Sequence, residues 1–258
     1  MKQTLLEIYR YRSMLWGMIS SDLRTRYKGS IFGFLWTFLN PLLMLLVYGM
    51  VFKTVMRVSL PNYLLFLFIG LLGWNMFANS VIASVGVINR QSSIVKKIYF
   101  PREILPISIV LASAINYLLS LVILIPFLIL TGYYPTLNWL YWPLILLVEI
   151  VFTIGLSLLF SAINVFLRDV EHMLGIVMMA WFYLTPIVYT MVMIPQKYLN
   201  YFKLNPIAGI IASYQSILYY QLPPRWKIFL YSIVISFAVL VIGWLVFRKL
   251  NKRFAEEV

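Results

Sequence analysis

The chain has 258 residues, of which 62% are apolar or aromatic and only 11% are charged, whereas soluble domains carry about 25% charged residues. This composition excludes a soluble globular protein and, with apolar runs of about 20 residues, predicts an all-α polytopic membrane protein. The formal net charge is +13, but no soluble segment is long enough to form a nucleic-acid-binding face, so nucleic acid is not an expected partner. The absence of cysteine excludes disulfides and cysteine-ligated metals.

The first predicted element is a helix within residues 1–28 that lies on the membrane surface. This segment mixes apolar side chains with six Lys and Arg residues, a composition typical of interfacial helices. Ser20, Ser21 and Asp22 predict a break and a helix N-cap, after which the chain enters the bilayer.

Six membrane-spanning helices are predicted from the apolar runs. Before the last span, a stretch with four prolines is too polar to cross a bilayer and too apolar to extend freely into water. Short re-entrant or interfacial helices at about 191–225 suit it, provided that they pack on protein or line a water-filled cavity. We therefore interpret residues 1–258 as a single transmembrane domain with spans at about 31–52, 63–88, 104–131, 142–167, 173–190 and 228–247.

The basic residues predict the orientation of these spans. With both termini in the cytoplasm, 15 of the 21 Lys and Arg residues lie in cytoplasmic segments and six lie in external ones. This distribution follows the positive-inside rule. No tandem or inverted repeat is visible, which disfavours a secondary transporter built from inverted repeats.

The sequence offers little catalytic chemistry. The single histidine, His172, lies near Asp169 and Glu171, and this short cluster is too small for a metal or hydrolytic site. A pairing of Arg168 with Asp169, or capping of the helix that follows, explains this cluster more simply. No G-x-x-x-x-G-K-[ST] sequence occurs, so any ATP that drives the protein would bind to another chain. We therefore predict no catalytic, cofactor-binding or metal-ligating residues.

A few polar residues lie inside predicted spans. Glu149 is the only carboxylate well inside one, and either a structural hydrogen bond or a place in an aqueous translocation path would explain it. A stripe on the second span leaves two alternatives open, tight helix packing and the lining of a polar path. The stripe consists of Asn75, Asn79, Ala83, Gly86 and Arg90.

Several motifs together resemble those of the ABC-2 type permeases that export polysaccharides. The opening motif is R-Y-x-x-S-x-hydrophobic-G-x-x-W followed by a proline within the first span. Three later features agree with that family in order and spacing: Phe100-Pro101-Arg102-Glu103 before span three, Arg168-Asp169 after span four, and Asn205-Pro206 in the last external stretch. The resemblance therefore covers essentially the whole chain. The matching positions of the opening motif and the dipeptides are Arg26, Tyr27, Ser30, Gly33, Trp36, Pro41, Arg168, Asp169, Asn205 and Pro206.

This resemblance implies a homodimeric permease in the cytoplasmic (inner) membrane, surrounded by membrane lipids and paired with two cytoplasmic ATPase subunits that bind ATP and Mg²⁺. It implies export of a polyprenyl-diphosphate-linked glycan such as O-antigen. A related permease for another cargo, such as teichoic acid, a lipid or a drug, is the alternative. The resemblance also implies that residues 5–28 and 89–100 contact the ATPases and that short gate helices occupy residues 191–225.

Four basic residues near the loop after span two have three possible roles. They could set the topology alone, dock the ATPases, or attract the diphosphate of the lipid carrier as an inner basic collar. These residues are Arg90, Lys96, Lys97 and Arg102.

The glycan path is expected between two copies of the chain. A long polymer exceeds any cavity that two six-span subunits could close, so it must thread through, and a threading wall must bind weakly at many places. Aromatic side chains of spans one and five suit this role. Our candidates are Trp36, Tyr48, Tyr183 and Tyr189, with Glu149 nearby as a hydrogen-bond acceptor.

Overall fold

A computed structural model of the protein describes residues 2–25, 28–29, 32–51 and 60–257. Within these ranges the chain forms α-helices and short 3-10 helices and no β-strand, which confirms the all-α class. The α-helices, in chain order, are α1 (Lys2–Arg10), α2 (Arg12–Thr25), α3 (Trp36–Gly49), α4 (Tyr63–Val85), α5 (Val87–Arg90), α6 (Ser92–Lys97), α7 (Ile104–Leu130), α8 (Trp142–Phe166), α9 (Asp169–Tyr183), α10 (Gln196–Lys203), α11 (Pro206–Leu218), α12 (Trp226–Asn251) and α13 (Phe254–Glu257).

Four helices are long and apolar enough to cross a membrane. They are α4, α7, α8 together with the 3-10 turn before it, and α12. They confirm the spans predicted at 63–88, 104–131, 142–167 and 228–247, because each has enough apolar residues to cover about 30 Å of hydrocarbon.

The other two predicted spans correspond to shorter helices. α3 has 14 residues and α9 has 15, which at 1.5 Å per residue gives about 21 Å and 23 Å. α9 begins at Asp169, four residues before the predicted boundary, and ends at Tyr183 rather than 190. Residues 31 and 52, the predicted ends of the first span, lie outside the described ranges. A total of six spans stays a prediction.

The N-terminal segment is helical, but the predicted break at Ser20–Asp22 is wrong. α2 continues through these residues to Thr25, whose hydroxyl donates to the Ser21 carbonyl at 2.7 Å, and the interruption falls at Tyr11 instead. α2 packs against α7 with Ile19 buried. This packing outweighs the local capping signal, because helix propensity is weak beside tertiary contact.

α4 is the central helix of the bundle. In its most apolar stretch 83% of the residues are buried, and it packs against α3, α7, α8, α9 and α11. Trp74 and Phe77 of α4 meet at 5.4 Å between ring centroids, and Phe77 also contacts Phe152 at 5.5 Å and Trp181 at 5.4 Å. Aromatic packing of this kind fixes α8 and α9 on α4.

The proline-rich region before the last span contains the two short helices α10 and α11, as predicted. α11 begins with Pro206, a residue favoured at the first helical position. All of its residues except Ala212 are buried, and it packs against α4, α8 and α12. α11 is thus an internal helix enclosed by protein.

α8 and α12 form the most extensive helix pair in the described part of the chain. They approach closely where two glycines face each other: a Cβ atom at Gly155 would lie 2.6 Å from the backbone nitrogen of Leu240, and one at Gly243 would overlap the backbone of Gly155. Small residues allow such contact between membrane helices, where dispersion rather than the hydrophobic effect holds the pair together.

Gly243→Leu should therefore separate α8 from α12 and lower the yield of folded protein. Overpacking costs about 1–3 kcal/mol or more when backbone atoms are in the way. Gly175→Leu is the matched control, since a Cβ atom there meets no neighbour within 4 Å. Detergent-solubilised, fluorescently tagged variants on a size-exclusion column measure the monodisperse fraction, and an equal fraction for both variants would contradict this packing account.

Candidate functional site

A polar cavity of about 300 Å³ lies among α3, α4 and α7. It is close to the middle of α4 and α7, whose central residues lie about 20 Å from their ends. The lining residues carry amides, hydroxyls, two thioethers and one indole, and none of them is charged. They are Trp36, Thr37, Asn40, Pro41, Met44, Leu72, Asn75, Met76, Asn79, Ser113, Asn116, Tyr117 and Ser120.

The cavity has an open mouth and a buried floor. At the mouth, Asn40 and Asn79 are exposed. At the floor, Thr37 is 5% exposed, and its hydroxyl oxygen has no hydrogen-bond partner among the described residues. Within the same part of the chain, both amide atoms of Asn116 are also buried without a partner. Buried polar groups are paired in almost all proteins, so the floor offers hydrogen-bonding capacity to whatever occupies the cavity.

The candidate path aromatics fall into two places. Tyr48 packs against Phe182 with ring centroids 5.8 Å apart, and the Tyr189 hydroxyl donates to the Tyr183 carbonyl at 2.7 Å. These three tyrosines therefore gather where the C-terminal ends of α3 and α9 meet. Trp36 lies at the other end of α3, about 18 Å away along the helix, on the wall of the polar cavity.

Glu149 lies in the protein interior rather than beside these tyrosines. It is fully buried, and one carboxylate oxygen accepts a hydrogen bond from the Tyr214 hydroxyl at 2.7 Å. The other oxygen has no hydrogen-bond partner in the part of the chain that the structure describes, and Glu149 is not among the residues that line the polar cavity. Its contact joins α8 to α11, which matches the structural alternative that the sequence left open.

The four basic residues near the loop after span two do not form one collar. Arg90 pairs with Glu171 at 3.0 Å and donates to the Ala83 carbonyl. Arg102 donates to the Asn251 carbonyl at 2.7 Å and to its side-chain oxygen at 3.1 Å. Both arginines thus hold helices together.

Lys96 and Lys97, at the end of α6, are exposed. Tyr99 follows them and is 91% exposed. Exposed tyrosine is enriched at protein–protein interfaces, and the two lysines beside it would complement an acidic patch on a partner.

A buried carboxyl lies behind this surface. Glu103 is 6% exposed just before α7. Burial raises the pKa of its carboxyl, while the charges of Arg248 and Arg102 oppose that rise. Arg102 also stacks over the Phe254 ring at 5.9 Å, so the contacts around residues 102 and 103 join α7 to the C-terminal helices.

The residues of the opening motif lie in different parts of the structure. Arg26, Tyr27 and Ser30 lie outside the described residues. Gly33 starts a 3-10 turn with φ of +45°, a backbone conformation that glycine tolerates. Trp36 begins α3, and Pro41 lies inside it.

The Arg168-Asp169 dipeptide marks the start of α9, and both residues are exposed. One of the residues that make contacts there, Asn164, was missed by sequence reasoning. The backbone N–H of Glu171 donates to the Asn164 side chain at 3.2 Å, and the Glu171 carboxylate pairs with Arg90. Asn164 was detectable as the one amide near the end of span four.

Asn205 joins two helices. Its side-chain oxygen accepts from the Trp181 indole N–H at 2.9 Å, and its amide nitrogen donates to the Leu184 carbonyl at 3.2 Å and to the Thr185 hydroxyl at 3.1 Å. Pro206 then begins α11. The Asn-Pro dipeptide therefore fixes the end of α9 against the start of the buried helix.

Comparison with known proteins identifies this architecture. The sequence model of the family described as "ABC-2 type transporter" matches residues 13–219. The chain belongs to the ABC-2 type transporter family. The match includes the polar cavity, the tyrosines near the end of α9 and the buried helix α11.

Individual ABC-2 relatives are similar over most of their length. The O-antigen export system permease protein RfbA of Klebsiella pneumoniae is 38% identical over 92% of both chains. A protein of the same name from Myxococcus xanthus is 34% identical over 98% of both. The polysialic acid transport protein KpsM of Escherichia coli is 24% identical over 74% of this chain and 75% of its own.

Asn205→Leu should loosen the connection between α9 and α11, because the Trp181 indole N–H loses its acceptor, and the Leu184 carbonyl and the Thr185 hydroxyl lose a donor. Leaving a buried polar group unpaired costs about 1–3 kcal/mol. Asn138→Leu is the matched control, since this amide donates to the Gln221 carbonyl in a loop. Thermal unfolding of the purified variants, followed by tryptophan fluorescence, should show the larger loss for Asn205, and a larger loss for Asn138 would contradict this assignment.

Proposed function

We propose that this chain is the transmembrane permease subunit of an ABC transporter that exports a lipid-linked polysaccharide of the O-antigen type across the cytoplasmic membrane. The observation that carries this proposal is the similarity, over more than nine tenths of each chain, to permeases named for O-antigen export. The long apolar helices and the uncharged polar cavity are compatible with a polar but neutral cargo.

Two copies of the chain would work with two separate cytoplasmic ATPase subunits, which would bind ATP and Mg²⁺. α3 and α9 would act as the first and fifth of six spans, and both termini would lie in the cytoplasm. The excess of Lys and Arg in the segments assigned to that side supports this orientation. Residues 191–225, with α10 and α11, would then lie on the outer side.

The surface formed by Lys96, Lys97 and Tyr99 is the proposed contact with the ATPase. All three side chains are exposed, whereas Arg90 and Arg102 make contacts within the chain. Docking on α6 would pass movement to α5 and to the start of α9 through the Arg90–Glu171 pair. Docking would also act on the end of α12, because Arg102 donates hydrogen bonds to Asn251 there.

The polymer would thread between the two copies along α3, α4 and α9. Its length excludes enclosure in one closed cavity, so the wall must bind weakly at many places. Trp36 near one end and Tyr48, Tyr183 and Tyr189 near the other provide uncharged aromatic surfaces along this route.

Deletion of the gene tests the proposed function directly. The undecaprenyl-linked polymer should then accumulate on the cytoplasmic side and disappear from the cell surface, and a plasmid copy of the gene should restore it. Normal surface polysaccharide in the deletion strain, with no polymer retained inside, would contradict the proposal.

The double charge reversal Lys96→Glu/Lys97→Glu should weaken binding of the ATPase, since it replaces two exposed positive charges on the proposed docking surface. Lys249→Glu/Lys252→Glu is the matched control: these lysines are exposed on the same side in the proposed topology. Co-purification of the ATPase with each variant is the measurement. An equal loss in both variants, or no loss in either, would leave topology as the only role of Lys96 and Lys97.

Alanine at Trp36, Tyr48, Tyr183 and Tyr189, introduced singly, should lower the rate of polymer export several-fold while ATPase binding and protein level stay normal. Phe237→Ala is the control, because this ring is half-exposed and lies on α12, which packs against α8 and α11. Surface polymer is measured after a pulse of labelled sugar. Wild-type export by all four variants would contradict the aromatic path.

A further inference from the structure

We propose that the polar cavity among α3, α4 and α7 is a subsite that holds one or two neutral sugar units of the polymer during export. This inference rests on the proposed function and specifies where the chain contacts its cargo. It concerns a place distinct from the tyrosines at the far ends of α3 and α9.

The lining selects for a neutral ligand rich in hydroxyl groups. The polar side chains of the wall are amides and hydroxyls, with no carboxylate, ammonium or guanidinium group among them. A charged ligand at this depth would need a counter-charge. An amide both donates and accepts hydrogen bonds, as does each hydroxyl of a sugar, so Asn40, Asn75, Asn79 and Asn116 can pair with neighbouring sugar hydroxyls.

The floor of the cavity is incomplete without an occupant. Among the described residues, the Thr37 hydroxyl oxygen and both amide atoms of Asn116 are buried and have no hydrogen-bond partner. They lie on α3 and α7, two helices that pack against each other beside the cavity. An occupant that bonds to both residues, such as a sugar or a water cluster, would satisfy these unpaired groups.

The mouth connects the cavity to the proposed path. Asn40 and Asn79 are exposed beside the partly exposed Trp36 ring. An indole face packs well against the C–H side of a sugar ring, while the amides serve its hydroxyls. One sugar unit of the polymer can therefore enter the cavity from the α3–α4 face while it stays bonded to the neighbouring units.

The size of the cavity limits what it holds. Its volume of about 300 Å³ lies at the lower end of the range of about 300–1,000 Å³ for ligand pockets. This is room for one or two sugar rings. Holding one unit at a time through uncharged contacts would give the polymer a preferred register and still allow it to move on.

The natural absence of cysteine makes a direct test simple. Ser113→Cys places a thiol of nearly the same size in the wall of the cavity, and Lys252→Cys, at an exposed position directly after α12, is the control. Each variant is produced with its ATPase in cells that make the undecaprenyl-linked polymer and in cells whose initiating sugar transferase is deleted. The rate of labelling by methanethiosulfonate ethylammonium is then compared between the two strains.

The polymer should slow labelling at Ser113→Cys several-fold and leave Lys252→Cys unchanged. Equal labelling of Ser113→Cys in both strains would mean that the cavity holds water only, and absence of labelling in both would mean that the cavity does not admit a molecule as large as the reagent. Either result would overturn the subsite. Failure of the wild-type gene to restore export would instead contradict the proposed function itself.

A second measurement does not depend on thiol chemistry. Asn116→Leu keeps the branched shape of the side chain and removes its hydrogen-bonding groups, so export should slow several-fold while ATPase binding stays normal. Asn116→Gln, which keeps the amide, should restore part of the rate. Wild-type export by Asn116→Leu, or equal losses in both variants, would contradict sugar binding at this residue.

Discussion

Hydrocarbon forms no hydrogen bonds, and this constraint decides which side of the molecule can face lipid. Asn40, Asn75 and Asn79 lie along one edge of α3 and α4, and Asn40 and Asn79 are exposed within these helices. An amide that faced the bilayer interior would be left without partners, at a cost of several kcal/mol. This polar edge must therefore face water, a second copy of the chain, or the cargo.

The buried part of the bundle holds this edge in place. α4 packs against five other helices, α8 and α12 meet through facing glycines, and the Glu149–Tyr214 contact fixes α11 to α8. α3, which carries part of the polar edge, and α9 bury three residues each. Segments with few buried contacts are the ones that open at least cost, so the fold places two sparsely buried helices along the proposed path.

Much of the fold was predictable from the sequence, because long apolar runs specify spans by composition alone. α4, α7, α8 and α12 lie where these runs predicted them. Errors arose where distant contacts decide the outcome. The break expected at Ser20–Asp22 is absent because α2 packs along α7, and α9 starts early, where Asn164 bonds to the N–H of Glu171.

The candidate site was predictable only in part. Asn75 and Asn79 were identified by their helical spacing, but Asn116 and Thr37 were missed. The spacing of Ser113, Asn116, Tyr117 and Ser120 places them on one face of α7, a signal that could have found the third wall of the cavity. The pairing of Arg90 with Glu171, which is 81 residues away, left no local pattern to find.

The orientation of the polar edge is the central claim, and a spin label in a lipid bilayer tests it most directly. The label is attached at Asn79→Cys in the complex with its ATPase, and its collision rates with a water-soluble nickel chelate and with oxygen are compared with those of Leu118→Cys, an exposed position on α7. The account predicts that residue 79 meets the nickel chelate far more often than residue 118 does. A label at residue 79 with the oxygen-rich, nickel-poor profile of a lipid-facing site would contradict it.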